Sequence, residues 1–164
     1  NTGSLGHGLA VGVGMALAGK MDNKTYRVFV LLGDGELAEG SVWEAAMAAS
    51  NYGLDNLTAI IDRNGLQITG KTEDVMRIEP LAMKWESFGW NVIHTDGHDF
   101  PSLCDAFSKK NIIPGKPTVV IAETVKGKGV SFMENNPKWH HGVMNEAEYK
   151  RACEELDKVP EVCE

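Results

Sequence analysis

The sequence predicts an α/β fold: a doubly wound, mostly parallel sheet with helices on both faces. Two apolar, β-branched runs break abruptly into glycine and acid or amide residues, VFVLLGDGELAEG at 28–40 and LTAIIDRNGLQITG at 57–70. Buried parallel strands end in this way at a ligand site. A further run, KPTVVIA at 116–122, follows another strand and helix, and the recurring alternation of the two is what a parallel, doubly wound sheet requires.

Taken in order, residues 1–20 read as a loop entering a helix, with Gly8, Gly12 and Ala16 on one side. Such a face lets another backbone come close, in core packing or in a subunit contact. Residues 26–32 form the first strand, and residues 39–52 an alanine-rich helix with Val42, Ala46, Ala49 and Gly53 on a face that can lie flat against the sheet. The second strand is 57–62. A short helix at 80–88 precedes a strand at 90–94, and HTDGHDFPSLCDAF then turns into a helix capped at Asp99. After the strand at 116–122 and a long loop, Asn145 and Glu148 form a capping box that opens a terminal helix, 146–157, followed by the tail VPEVCE.

Composition narrows the function classes. A chain of 164 residues is about one domain, with 43% apolar and 24% charged residues, as in ordinary soluble globular proteins. The formal charge of −7, without clustered Lys and Arg, argues against a nucleic-acid partner. Cys104, Cys153 and Cys163 show no paired spacing, so neither a disulfide framework nor a zinc ribbon is expected, and they read as cytoplasmic thiols. The apolar run at 9–18 is interrupted by glycines and far short of the ~20 residues that cross a bilayer, so no membrane partner is expected.

Asp34 and Asn64 fall just past the ends of the first two strands. If those strands are neighbours, both side chains reach the crevice beyond the carboxyl edge, where open α/β sheets bind ligands. One carboxylate and one amide oxygen then share a point. Hard donors of this kind suit Mg²⁺ or Ca²⁺, and Mg²⁺ is usually held by one or two protein groups with phosphate oxygens completing its shell. Gly33 and Gly35 leave room for a diphosphate to approach main-chain N–H groups, and a helix starting near Glu39 directs its positive end to the same place. Plain turn chemistry competes for Asp-Gly and Asn-Gly alike, and the pairing of the two positions favours ligation. Glu39 and Glu44 also read as first-turn acids that favour the helix dipole. His94 and His98 are separated by an Asp-Gly turn and do not share a helical face, so a surface or loop role is expected for them. Gly127 and Gly129 make a pliable loop whose Lys126 and Lys128 either sit in solvent or draw in a phosphorylated sugar.

Gly33-Asp34-Gly35, 28 intervening residues and then Asn64 resemble the thiamine-diphosphate motif of transketolase-type enzymes. The words GDGELAEGSVWEAAM and AIIDRNGLQITG are closer to transketolase than to its relatives. The resemblance implies a thiamine-diphosphate-binding fold over residues 1–164, one domain truncated at its N-terminus. It implies metal ligation by Asp34, Asn64 and the main-chain carbonyl of Leu66, and contact between the Gly35 N–H and the diphosphate. TGSLGHG is similar to the family's TGPLGQG, which implies Gly3 and Leu5 beside the cofactor, with Ser4 and His7 as departures. Glu39 falls where the family has a subunit-contact glutamate near the cofactor, and Ile68 where a side chain packs on the thiazolium ring. His141, preceding Gly142, matches a histidine near the diphosphate and the reacting carbon, where an imidazole can shuttle a proton or hold a hydroxyl.

The function implied is transfer of a two-carbon ketol unit from a ketose phosphate to an aldose phosphate, with the cofactor carrying the hard chemistry. The implied partner is a pyrimidine-binding transketolase C-terminal domain or subunit, which supplies the activating glutamate, in a homodimer or heterotetramer. The chain alone is then expected to be inactive. Part of another thiamine-diphosphate enzyme, such as deoxyxylulose-phosphate synthase or a 2-oxo acid dehydrogenase alpha subunit, is the alternative enzymatic reading. A non-catalytic diphosphate- or partner-binding module is the alternative outside enzymes.

Overall fold

The computed structural model describes residues 5–157, so the expectations for Gly3, Ser4, Cys163 and the C-terminal tail lie outside the described residues. The chain runs α1 (Gly8–Met21), β1 (Val28–Gly33), a 3-10 turn (Gly35–Ala38), α2 (Gly40–Asn51) and β2 (Leu57–Arg63). A small hairpin follows, β3 (Leu66–Gln67) and β4 (Gly70–Lys71), then α3 (Thr72–Val75), α4 (Leu81–Ser87), β5 (Asn91–Asp96) and α5 (Phe100–Ala106). The last elements are β6 (Thr118–Glu123), a 3-10 turn (Pro137–His140) and α6 (Glu146–Leu156).

Four strands form one parallel sheet in the order β1-β2-β6-β5. The chain passes from β1 to its neighbour β2, skips a place to β5, then returns to β6. The last crossover therefore runs opposite to the first two, and right-handed connections put α5 on the face away from α2 and α4. Packing follows that division. Leu57, Ala59 and Ile61 of β2 and Val119 and Ile121 of β6 join one core with residues of α1, α2 and α4. On the alternate positions, Phe29 meets Phe107 at the end of α5 edge to face, with ring centroids 6.0 Å apart. The predicted helices on both faces are present.

On the first face the core is tight where side chains are small and aromatic where they are large. Gly12 and Ala16 are buried, and a Cβ on Gly12 would come within 2.4 Å of Val30 on β1, so the small-residue side of α1 is used in core packing. Trp85 is fully buried between Trp43 and Trp90, at 5.3 and 4.8 Å between ring centroids. The Trp90 indole donates to the Ala46 carbonyl at 2.9 Å, which gives its polar end a partner inside the core.

Strand ends are set by partners more than by residue type. Tyr26 and Arg27, expected in β1, are taken up by side-chain bonds to the Met15 and Phe107 carbonyls at 3.0 and 2.8 Å. β5 runs on to Asp96 because β6 continues beside it to Glu123. The β3–β4 hairpin and α3 have too few residues for any periodicity to show in the sequence.

Candidate functional site

β1 and β2 are adjacent, with Gly33 opposite Asp62, so the turns beyond them open at the same edge of the sheet. Asp34 stands at the tip of the first turn with its side chain 1% exposed. Its main-chain N–H donates to the Asp62 carbonyl at 3.2 Å, and its Oδ2 accepts from the Gly65 N–H at 2.6 Å. That second bond crosses from one turn to the other and brings Asn64 beside the carboxylate.

Asn64 is held by two local bonds. Its Nδ2 donates to Asp62 Oδ1 at 3.2 Å, and its Oδ1 accepts from the Leu66 N–H at 3.0 Å. Asp62 is itself fixed by the Thr124 hydroxyl from the end of β6. Asp62 thus sets which way the amide faces, a role for which the sequence carried no signal beyond its place two residues before Asn64.

Arg63 was also silent in the sequence. Its Nη1 donates to Asp34 Oδ2 at 2.9 Å and to the Thr72 hydroxyl at 2.7 Å, while Nη2 reaches Glu79 at 2.9 Å and Glu73 at 3.5 Å. Burial lowers the guanidinium pKa, but the hydrogen bonds and charges of Asp34 and Glu79 outweigh it, and the net shift is upward. The signal that could have found Arg63 is a lone cation directly before a candidate ligand at a strand end.

Glu36 supplies a third device. Its two carboxylate oxygens accept from the Gly6 N–H at 2.8 Å and the Gly33 N–H at 3.1 Å, tying the start of the chain to the turn. The Gly33 and Gly35 N–H groups, expected to face a diphosphate, are therefore both engaged within the chain, since Gly35 N–H donates to Asp34 Oδ1 at 2.8 Å. Carboxylates one and three residues away reach these donors first, and buried N–H groups are rarely left without a partner. The helical end next to Asp34 is likewise the 3-10 turn that Asp34 caps, not α2, which begins later at Gly40.

The other expected residues lie at different depths. Leu5 and Ile68 are half-exposed. Glu39 is exposed and caps α2 without a side-chain bond, its Cβ within 2.9 Å of where a side chain on Gly6 would begin. Leu66 opens the β3–β4 hairpin. The turn Pro137–His140, which immediately precedes His141, packs against that hairpin strand. His141 is exposed, with its ring 4.5 Å from that of His140. Burial, then Lys126 and His141, push the His140 pKa below its ordinary value, which favours the neutral ring.

The donor set fits a divalent cation bound with a diphosphate. Asp34 Oδ1 and Asn64 Oδ1 each accept one bond and keep a lone pair. Beside Gly35, where a Cβ would meet Gln67 at 3.0 Å, the buried Gln67 Oε1 has no partner among the described residues. Among the described residues no group of three or more His, Cys, Asp or Glu side chains is arranged for a metal, and the oxygens available at the two turns are those of one acid, an amide and the main chain. That composition suits a hard cation whose remaining ligands are phosphate oxygens. No described helix is long and apolar enough to cross a membrane.

A parallel sheet whose neighbouring strand ends carry an acid and an amide in touching glycine turns has the plan of α/β domains that bind ligands beyond the carboxyl edge. Residues 1–161 match the family described as transketolase, thiamine diphosphate binding domain, and the chain belongs to that family. It is 51% identical over 158 residues to an apulose-4-phosphate transketolase subunit of Phocaeicola vulgatus, covering 96% of this chain and 56% of the relative. It is 43% identical over 157 residues to the 6-deoxy-6-sulfo-D-fructose transketolase subunit SqwG of a Clostridium species, covering 96% and 57%. The chain thus spans about half the length of these curated relatives. The crystal structure of Campylobacter jejuni transketolase superposes with a TM-score of 0.87 at 32% identity, over 95% of this chain and 26% of that one.

Proposed function

We propose that this chain is the cofactor-anchoring part of a transketolase that moves a two-carbon ketol unit from a ketose phosphate to an aldose phosphate. The observation that carries the reading is the bond from Gly65 N–H to Asp34 Oδ2, which brings the two turns of the family motif to one point. Asp34, Asn64 and the Leu66 carbonyl would hold Mg²⁺ or Ca²⁺, whose charge would anchor the cofactor's diphosphate. Thiamine diphosphate supplies, when bound, the nucleophilic carbon that ketol transfer needs.

This chain's own residues bind and orient. Asp62 keeps the Asn64 oxygen turned toward the ion, and Glu36 closes the first turn by holding the Gly6 and Gly33 N–H groups. The Gly35 N–H, held by Asp34 Oδ1, would be the main-chain donor nearest to a bound diphosphate. Gly3, Leu5 and Ile68 flank the cofactor, and Glu39 meets a neighbouring subunit. His141, carried close to Leu66 by the preceding turn, holds or moves a proton at a substrate hydroxyl.

The partner is a pyrimidine-binding half, as a domain or a separate subunit, in a cytoplasmic homodimer or heterotetramer. That both relatives are named as subunits supports a separate chain. Since the Phocaeicola vulgatus relative is named for apulose 4-phosphate, that sugar phosphate is the first donor to test. The chain is expected to be inactive alone with thiamine diphosphate and Mg²⁺, and active once combined with a pyrimidine-binding subunit. Ketol transfer by the chain alone would overturn the division of labour. A combined enzyme that instead joins pyruvate to glyceraldehyde 3-phosphate would move it to deoxyxylulose-phosphate synthase.

A further inference from the structure

Arg63 has no part in the donor set, yet its guanidinium is paired with the carboxylate at the centre of it. Asp34 is almost wholly buried, and a buried carboxylate is costly unless a counter-charge and hydrogen bonds compensate it. Arginine keeps its proton at any ordinary pH, so the charge it offers is permanent. We propose that Arg63 is a built-in counter-cation for Asp34, which neutralises the carboxylate when no divalent ion is bound and competes with that ion for it. The proposal rests on the metal-site reading above.

The geometry gives Arg63 the means to do this. Nη1 is shared between Asp34 Oδ2 and the fully buried Thr72 hydroxyl, and Nη2 points to Glu79 and Glu73 at the rim. Those acids are anchored independently of Asp34, Glu73 by the Ile78 N–H at 3.2 Å and Glu79 by the Leu81 N–H at 2.7 Å. The guanidinium is therefore held at the site with or without the bond to Asp34. A divalent ion arriving on the same carboxylate meets a positive charge one carboxylate away, where burial limits screening by salt. If Arg63 only tied β2 to the segment before α4, its loss would lower stability without changing the response to metal.

The test is thermal unfolding of the full chain with excess thiamine diphosphate, in EDTA and across a Mg²⁺ series. Arg63→Gln is expected to unfold earlier in EDTA, and to reach half of its Mg²⁺-dependent stabilisation at about five- to tenfold less Mg²⁺ than the wild type. Arg63→Lys, which keeps the charge, is expected to stay within about twofold of the wild type. Glu79→Gln, at a half-exposed position, is expected to raise the Mg²⁺ requirement, because the guanidinium then bears more fully on Asp34. An unchanged or higher requirement in Arg63→Gln overturns the proposal, as does a Lys variant that moves as far as the Gln variant. Should Arg63→Gln not fold, an unchanged or lowered requirement in Glu79→Gln overturns it alone. A wild type that ignores Mg²⁺ overturns the metal-site reading and this one together, whereas a responsive wild type with unresponsive variants overturns only the part given to Arg63.

Discussion

The carboxyl edge of the sheet carries titratable groups in two places, and they are built in opposite ways. Beyond β1 and β2, Asp34, Asp62, Arg63 and Asn64 are tied to one another and to main-chain N–H groups. Beyond β5 and β6, His94, Asp96, His98, Glu123 and Lys128 line an open cavity of about 640 Å³, and all five are exposed. There His98 accepts from the Val125 N–H at 2.7 Å, joining the two loops, and Asp96 accepts from the His98 N–H at 2.8 Å within its own loop. Burial forces charged groups into pairs with fixed geometry, while water solvates exposed ones separately. The open cavity is the more solvated place.

Four experiments break or sharpen this contrast. The largest effect is expected from Asp34→Ala, which should abolish metal-dependent binding of thiamine diphosphate in calorimetry while circular dichroism keeps its folded signature. Retained affinity would remove the metal from this end of the sheet. Next, Asp62→Ala frees the Asn64 amide, and loss of such a partner to a metal ligand is expected to weaken metal-dependent binding by about tenfold or more. On the open side, His98→Ala removes a loop bond and should cost about 1 kcal/mol of stability with cofactor affinity unchanged. A fall in affinity comparable to that of Asp62→Ala would mean that both ends of the edge serve the cofactor.

The smallest effect concerns pH. The Leu81 N–H first, then Arg63, hold the Glu79 carboxyl below its ordinary value of 4.5. A depressed acid contributes its stability in full above that ordinary value and loses it as the pH falls through the folded one. Unfolding midpoints of wild type and Glu79→Gln should therefore differ at pH 6 and converge as the pH falls below 4.5 through the depressed folded value. A difference that persists in acid would point to packing of the longer wild-type network instead.

How far the sequence could be read depended on element length and on reach along the chain. The strands at 57–63 and 118–123 and helix 40–51 were legible because each repeats its pattern over several residues. The capping box at Asn145 and Glu148 and the cap at Asp99 were legible as local side-chain grammar, and both are present. Asp34 and Asn64 were legible as a pair because the family motif fixes their spacing. Arg63, Asp62 and Glu36 were not, because their partners lie at the other turn, at the end of β6, or near the start of the chain. The bonds at the Gly33 and Gly35 N–H groups were not legible for another reason: their carboxylates are only one and three residues away, and the sequence does not say whether a nearby acid folds back onto its own turn.

By itself, then, the sequence determined the sheet, its helices and the two turn tips at which an acid and an amide appear, because hydrophobic period and turn chemistry are local and act within a few residues. Tertiary structure alone decided that those tips touch, that a guanidinium shares the buried carboxylate, and that the Thr124 hydroxyl fixes the aspartate beside the amide. These are pairings between residues up to 62 positions apart, forced by the need of each group removed from water to find a partner across the folded edge.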